Sequence, residues 1–345
     1  MRKPKLVKAL IAGLTALFVT LLVVGGMGAR MLLAPNFMPE GTYHIRIYPG
    51  NDFQWLCRQL EDSAHCRDIG TFVRLAKLLN YPDHVRTGCY AVEPGMNNRD
   101  LLNRLRRGHQ ESVRITFHNV RTVEDLAERL AAQLMPDSGE LAALLEDEAF
   151  CHSLGFTPQT LPAMFIPNTY EVYWNISAPN LMRRMKREYL AFWTEARRGK
   201  AGEIGLSPVE VATLASIVEE ESAVAEEYPV IAGLYINRLH RGMPLQADPT
   251  LKYAAGDFTL RRILYRHRDL DSPYNTYLHT GLPPGPIRIP SITATEAVLN
   301  YAKHHYLYMC ARGDLSGRHH FTASLAEHNR HAARYQSELN RRGIR

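Results

Sequence analysis

From Ala9 to Ala29 the chain runs 21 residues without a charged side chain. A helix needs roughly 20 apolar residues to cross the hydrocarbon layer of a bilayer, so this stretch reads as a membrane span. Arg2, Lys3, Lys5 and Lys8 precede it, whereas only Arg30 follows closely. The positive-inside rule then keeps the amino terminus in the cytoplasm and exports everything after about residue 33. A cleavable signal peptide would have a shorter apolar region, roughly 7 to 15 residues. Gly26-Met27-Gly28-Ala29 is also a poor small-residue cleavage site, so an uncleaved signal anchor is expected.

Export narrows the meaning of the charge. A net charge of +6 and a pI near 9.0 suit anionic lipid headgroups or an acidic wall polymer. Nucleic acid suits the same charge but is the least expected of these partners for an exported chain. A content of 46% hydrophobic and 22% charged residues in 345 is that of a folded protein with room for two or three domains. Five cysteines, at 57, 66, 89, 151 and 310, show neither a CxxC pair nor zinc-ligand spacing. Export permits disulfides, and Cys57 with Cys66 could close a short loop, but the odd count leaves pairing open.

Beyond the anchor a strand, turn and helix pattern recurs. His44 to Tyr48 alternates like a strand, meets Pro49-Gly50, and leads to an amphipathic run over Phe53 to Leu60. Ala91 to Glu93, Pro94-Gly95 and Arg99 to Leu105 repeat it, and Val113 to Phe117 before Thr122 to Leu134 is a third echo. Units of this size resemble the LysM-like subdomain of wall enzymes, while a generic α+β spacer accounts for them equally. A helical connecting region follows. It has an acidic part over Pro136 to Phe156, a Pro-broken aromatic loop over Leu161 to Trp174, and a basic helix over Asn180 to Arg198. Gly199 to Gly205 reads as a linker, which puts boundaries at 1–33, 34–112, 113–205 and 206–345.

The candidate chemistry lies in Leu214 to Ser222, LASIVEEES. Ser207 as N-cap, Pro208 at the first helical position and Glu210 three residues after the cap predict a helix start. At about 100° per residue Val211, Leu214, Ala215, Val218 and Ala225 share a face, and Glu221 lies roughly 60° from Val218 on that stripe. Glu220 points to the opposite side and is expected to face water, with Glu219 between. Partial desolvation would raise the pKa of Glu221 and make it a general acid near neutrality. A solvated helix end, with Glu221 paired to an arginine, is the competing reading of the same run. Further on, LQADPT (245–250), SPYNTY (272–277) and GLPPGPI (281–287) hold Gln246, Asp248, Tyr274, Asn275 and Tyr277 on loops stiffened by proline. Amides and phenols of this kind suit sugar hydroxyls and N-acetyl groups.

The ordered motifs ASIVEEES, INRL, LQADPT, SPYNTY, TGLPPGPI and HHFTASLAEHN, spread over residues 206–335, resemble the YceG-like family of endolytic murein transglycosylases. The anchor and FIPNTYEVYW are similar to its amino-terminal half. The resemblance implies an α+β protein with a transmembrane helix, a small LysM-like subdomain and a YceG-like catalytic domain in the inner membrane, facing the periplasm. It implies cleavage of the β-1,4 bond between N-acetylmuramic acid and N-acetylglucosamine in nascent peptidoglycan, which leaves 1,6-anhydro ends. Glu221, directly before Ser222, falls on the family's catalytic glutamate. Glu219, Gln246, Asp248, Tyr274, Asn275, Tyr277 and His319 fall near the implied glycan cleft. No cofactor or metal is implied, and the implied partners are glycan strands, the membrane and candidate synthases or division proteins. Two features depart from the family pattern: Glu220 adds a negative charge, and Asp257 to Asp271 is unusually basic, with Arg261, Arg262, Arg266, His267 and Arg268. His304, His305, His319, His320, His328 and His331 keep a metal-dependent hydrolase open as an alternative. A non-catalytic glycan-binding scaffold is a third reading.

Overall fold

The computed structural model describes residues 3–260 and 263–342, so Arg2, Arg261 and Arg262 of the sequence reading lie outside the described residues. A helix over Lys3–Leu33 contains the expected apolar stretch, and within its span Val7–Leu33 an 18-residue window reaches a mean hydropathy of 2.4. The chain then forms two compact units. Met1–Arg114 with Glu171–Asn175 makes the first, and Ile115–Tyr170 with Ile176–Arg345 the second. Most of the region expected as a connector therefore shares a unit with residues 206–345.

In the first unit the repeated pattern becomes two paired strands. Tyr43–Ile47 and Gly88–Val92 run antiparallel, with Tyr43 opposite Val92 and Ile47 opposite Gly88. Each strand is followed by a turn whose glycine, Gly50 or Gly95, has a positive φ near 85° that side chains with a Cβ rarely adopt. Helices follow both turns, Phe53–Asp62 capped by the Asp52 carboxylate and Asn98–Arg107 capped by the Asn97 amide. A third helix, Ile69–Leu78, completes a core of Ile45, Ile47, Leu56, Leu60, Phe72, Tyr90, Leu101 and Leu105. Met31 and Leu32, in the last turn of the long apolar helix, pack against this same core.

The second unit is built around the helix Pro208–Glu221. Ser207 Oγ accepts from Glu210 N–H while the Glu210 carboxylate accepts from Ser207 N–H at 2.7 Å, closing the expected capping box. Val211 through Val218 are all buried, and helices Tyr228–His240 and Ile292–Leu299 pack against them. A hairpin of Tyr308–Ala311 and His319–Thr322 places Ala311 opposite His319, and the helix Leu325–Arg341 lies on it. The basic helix ends earlier than expected, at Phe192, because buried Trp193 breaks it and Thr194 caps a new helix over Glu195–Ile204. The expected linker from Gly199 is thus mostly helix, stopped by Gly205 in the left-handed conformation. Gly285 of the GLPPGPI loop has a different constraint: a Cβ there would lie 2.0 Å from the carbonyl oxygen of Gln159. Only glycine lets those two backbones meet.

Candidate active site

Because Glu221 closes the helix Pro208–Glu221, its carboxyl emerges at one end of an apolar rod. The phenol of Tyr235, on the neighbouring helix Tyr228–His240, donates to Glu221 Oε1 at 2.5 Å. Burial raises the Glu221 carboxyl to about 7 from its ordinary 4.5. The Tyr235 hydrogen bond and the charges of Lys252 and Arg238 pull it down, and the negative charge of Asp248 pushes it further up. The residue stays half-buried because it opens on a cavity of about 210 Å³.

That cavity brings Glu221, Gln246, Asp248, Tyr277 and His319 together, along with Tyr235, Arg238, Met309, Cys310 and Ala311. Asp248 does not sit on a loop as the sequence suggested. It begins the helix Asp248–Ala255, where Pro249 is at home in the first turn. Tyr277 donates to Asp248 Oδ1 at 2.5 Å, so two carboxyl groups enter one cavity, each held by a tyrosine. Gln246 adopts a left-handed backbone with φ +54, and its N–H donates to Thr276 O at 3.0 Å. Ala247 N–H donates to Thr276 Oγ1, so the LQADPT and SPYNTY segments are tied side by side.

Glu219, Tyr274 and Asn275 lie outside the cavity lining. Asn275 is fully buried and donates to the carbonyls of Arg268 and Leu270, which shapes its own loop. The Tyr274 ring packs on Tyr253 at 4.7 Å. Glu219 accepts from Ser291 N–H at 2.8 Å, at the cap of the helix Ile292–Leu299.

The expectation that Glu220 faces water is corrected. Arg288 Nη1 donates to Glu220 Oε1 at 2.6 Å, Arg121 Nη2 reaches both of its oxygens at 3.1 and 3.0 Å, and its side chain is 17% exposed. Arg288 also lies 3.8 Å from Glu219. Two guanidinium groups therefore offset the charge beside Glu221, and Glu219 and Glu220 form a bridged cluster.

Four important residues were not singled out from the sequence: Tyr235, Arg238, Glu227 and Arg288. Arg238 was in view within INRL. It is 6% exposed, donates from Nε to Leu307 O at 2.6 Å and from Nη1 to Leu245 O at 2.9 Å, and so joins the hairpin segment to the LQADPT turn. The histidines disperse: His304 Nε2 meets Val230 O at 2.9 Å, and His320 stacks on His331 at 4.3 Å. Among the described residues no group of three His, Cys, Asp or Glu side chains is arranged to hold a metal ion, and the five cysteines are unpaired.

The model of the YceG-like family matches residues 45–334. The chain belongs to the YceG-like family. It is 28% identical over 338 residues to the endolytic murein transglycosylase of Bacillus subtilis, covering 92% of each chain. It is also 28% identical to the endolytic murein transglycosylase of Streptococcus pneumoniae over 364 aligned positions, covering 94% of this chain and 65% of that one. A crystal structure of a YceG-like protein from Listeria monocytogenes matches with a TM-score of 0.57 at 26% identity, over 84% of this chain and 99% of the other. The mixed α+β fold of this YceG-like chain is thus shared with a solved relative.

Proposed function

We propose that this chain is a membrane-anchored endolytic lytic transglycosylase that cuts the β-1,4 bond between N-acetylmuramic acid and N-acetylglucosamine of nascent peptidoglycan. The observation that carries the reading is the Glu221 carboxyl, raised to about 7 at the wall of a polar cavity. Near neutrality such a group exists in both protonation states, as a single acid and base requires. Glu221 first gives its proton to the departing glycosidic oxygen as an oxocarbenium-like centre develops at the muramyl anomeric carbon. The resulting carboxylate then takes the proton of the muramyl 6-hydroxyl while that oxygen bonds to the anomeric carbon. The bond to N-acetylglucosamine breaks, the 1,6-anhydro bond forms, and Glu221 ends protonated. Water is not consumed, so the two-carboxylate spacing that ordinary glycosidases need does not apply.

Gln246, Asp248, Tyr277 and His319 are assigned to the glycan in this reading, and Glu219, Tyr274 and Asn275 to its supporting frame. The helix over Val7–Leu33 is assigned as a single-pass anchor with the amino terminus in the cytoplasm. Paired strands flanked by helices over one core support a LysM-like reading of residues 34–112, with 113–205 connecting to a catalytic region over 206–345. The test is to incubate the detergent-solubilised full chain with peptidoglycan and a chelator and to analyse the new ends. Anhydromuramyl ends that disappear with Glu221→Gln support the proposal. Reducing muramyl ends would show hydrolysis instead.

A further inference from the structure

Glu227 is 5% exposed and carries no role in the chemistry described so far. It follows the Glu221 helix by six residues, at the end of the short turn Ala225–Glu227. Three donors converge on its carboxylate. His319 N–H reaches Oε1 at 2.9 Å, His319 Nδ1 reaches Oε2 at 2.8 Å, and Ser222 Oγ reaches Oε2 at 3.2 Å. Ser222 in turn accepts from Val224 N–H at 3.1 Å. One buried carboxylate thus ties the residue after Glu221 to the strand that carries His319 into the cavity.

We propose that Glu227 is a positioning residue that fixes His319 with its hydrogen on Nδ1, so that Nε2 is left as an acceptor for a glycan hydroxyl in the Glu221 cavity. An ionised carboxylate can only accept hydrogen bonds, so a ring nitrogen facing it must be the donor. Burial would raise the Glu227 carboxyl, yet the side-chain and backbone hydrogen bonds from His319, helped by Ser222, hold it below the ordinary range. The ring's other nitrogen makes no hydrogen bond to the described residues, while the ring itself lines the cavity. Orientation of one imidazole nitrogen by a carboxylate on the other is how a histidine acquires a defined tautomer. The arrangement also accounts for a hydroxyl directly after the glutamate: Ser222 is the third donor, and it holds the helix end against the same anchor.

The proposal rests on the transglycosylase reading for its kinetic arm and is independent of it for its spectroscopic arm. In the full chain in micelles, with ¹⁵N-labelled histidine and His319 assigned by comparison with His319→Gln, the neutral ring is expected to carry its hydrogen on Nδ1. Glu227→Gln, whose amide can donate to Nδ1, is expected to move the hydrogen to Nε2. A wild-type ring protonated on Nε2 would overturn the proposal even if no variant folds. In the kinetic arm His319→Gln and Glu227→Gln should each lower the turnover rate for anhydro-end formation, on the order of a hundredfold for a misplaced group, with a smaller effect on KM. The double variant should lose no more than the worse single variant. Losses that multiply would mean that Glu227 acts only on the fold. Absence of anhydro ends from the wild type would overturn the functional reading and leave the tautomer result standing.

Discussion

Tyr235 and Glu221 meet across two helices, the phenol oxygen donating to Oε1 of the carboxyl at 2.5 Å. The hydrogen bond favours the charged form of Glu221, and Asp248 in the same cavity disfavours it. Removing each neighbour should therefore move the acid in opposite directions. Activity that needs protonated Glu221 falls as pH rises through about 7. Tyr235→Phe should shift this alkaline limb to higher pH, and Asp248→Asn should shift it to lower pH. The check is the pH dependence of anhydro-end formation for the three proteins, and a common limb would contradict the assignment of Glu221 as the acid.

Replacement of Glu221 by glutamine should reduce activity by roughly 10²- to 10⁴-fold, the usual worth of a proton-transferring group. The same change should reveal a cost in stability. Glu221 has a folded value of about 7 against an ordinary 4.5, so the favourable contribution of its neutral form is complete below 4.5 and is lost as pH climbs to 7. Linkage limits this effect to on the order of 3 kcal/mol. Wild type should lose stability relative to Glu221→Gln between those two pH values, as read from denaturant midpoints in paired titrations.

Arg288, with an 11% exposed side chain, stands between Glu219 and Glu220. Arg288→Met leaves two poorly solvated carboxylates with less compensation and should cost about 3–5 kcal/mol, the range for breaking a buried ion pair from one side. Adding Glu219→Gln and Glu220→Gln should restore much of that loss. Equilibrium unfolding of the single and triple variants measures both, and an unchanged midpoint for Arg288→Met would remove the cluster's structural role.

A truncation after Leu33 should be less stable than one after Ala29. Asn98 Nδ2 donates to Met31 O at 2.9 Å, and Met31 and Leu32 pack on the core of the first unit. Losing two partly buried aliphatic side chains should cost about 2 kcal/mol or more at roughly 0.8 kcal/mol per buried methylene. Thermal melting of the two shortened chains compares them.

Local signals were readable wherever the physics is local. Ser207, Pro208 and Glu210 announce the helix start because a capping box spans four consecutive residues. Helical period puts Glu221 nearest the Val218 face, and of the three glutamates it is the one that lines the cavity, although Glu219 and Glu220 are also largely buried. The surroundings of Glu220 were not readable, since Arg121 and Arg288 lie 99 and 68 residues away in sequence. Glu227 was hidden for the same reason, as its partner His319 is 92 residues distant. Asp248 was misplaced because Asp-Pro opens a turn and a helix equally well, and what decides is the run of helix formers after it.

The long apolar helix runs without a break to Leu33, and its last turn belongs to a folded core. With that helix seated in the bilayer as proposed, the anchor acts as a post and not as a leash. A flexible tether of n residues explores a radius that grows roughly as the square root of n, whereas a post keeps a single working height. The first unit is then held at a fixed distance from the membrane surface, with no slack between the span and its core.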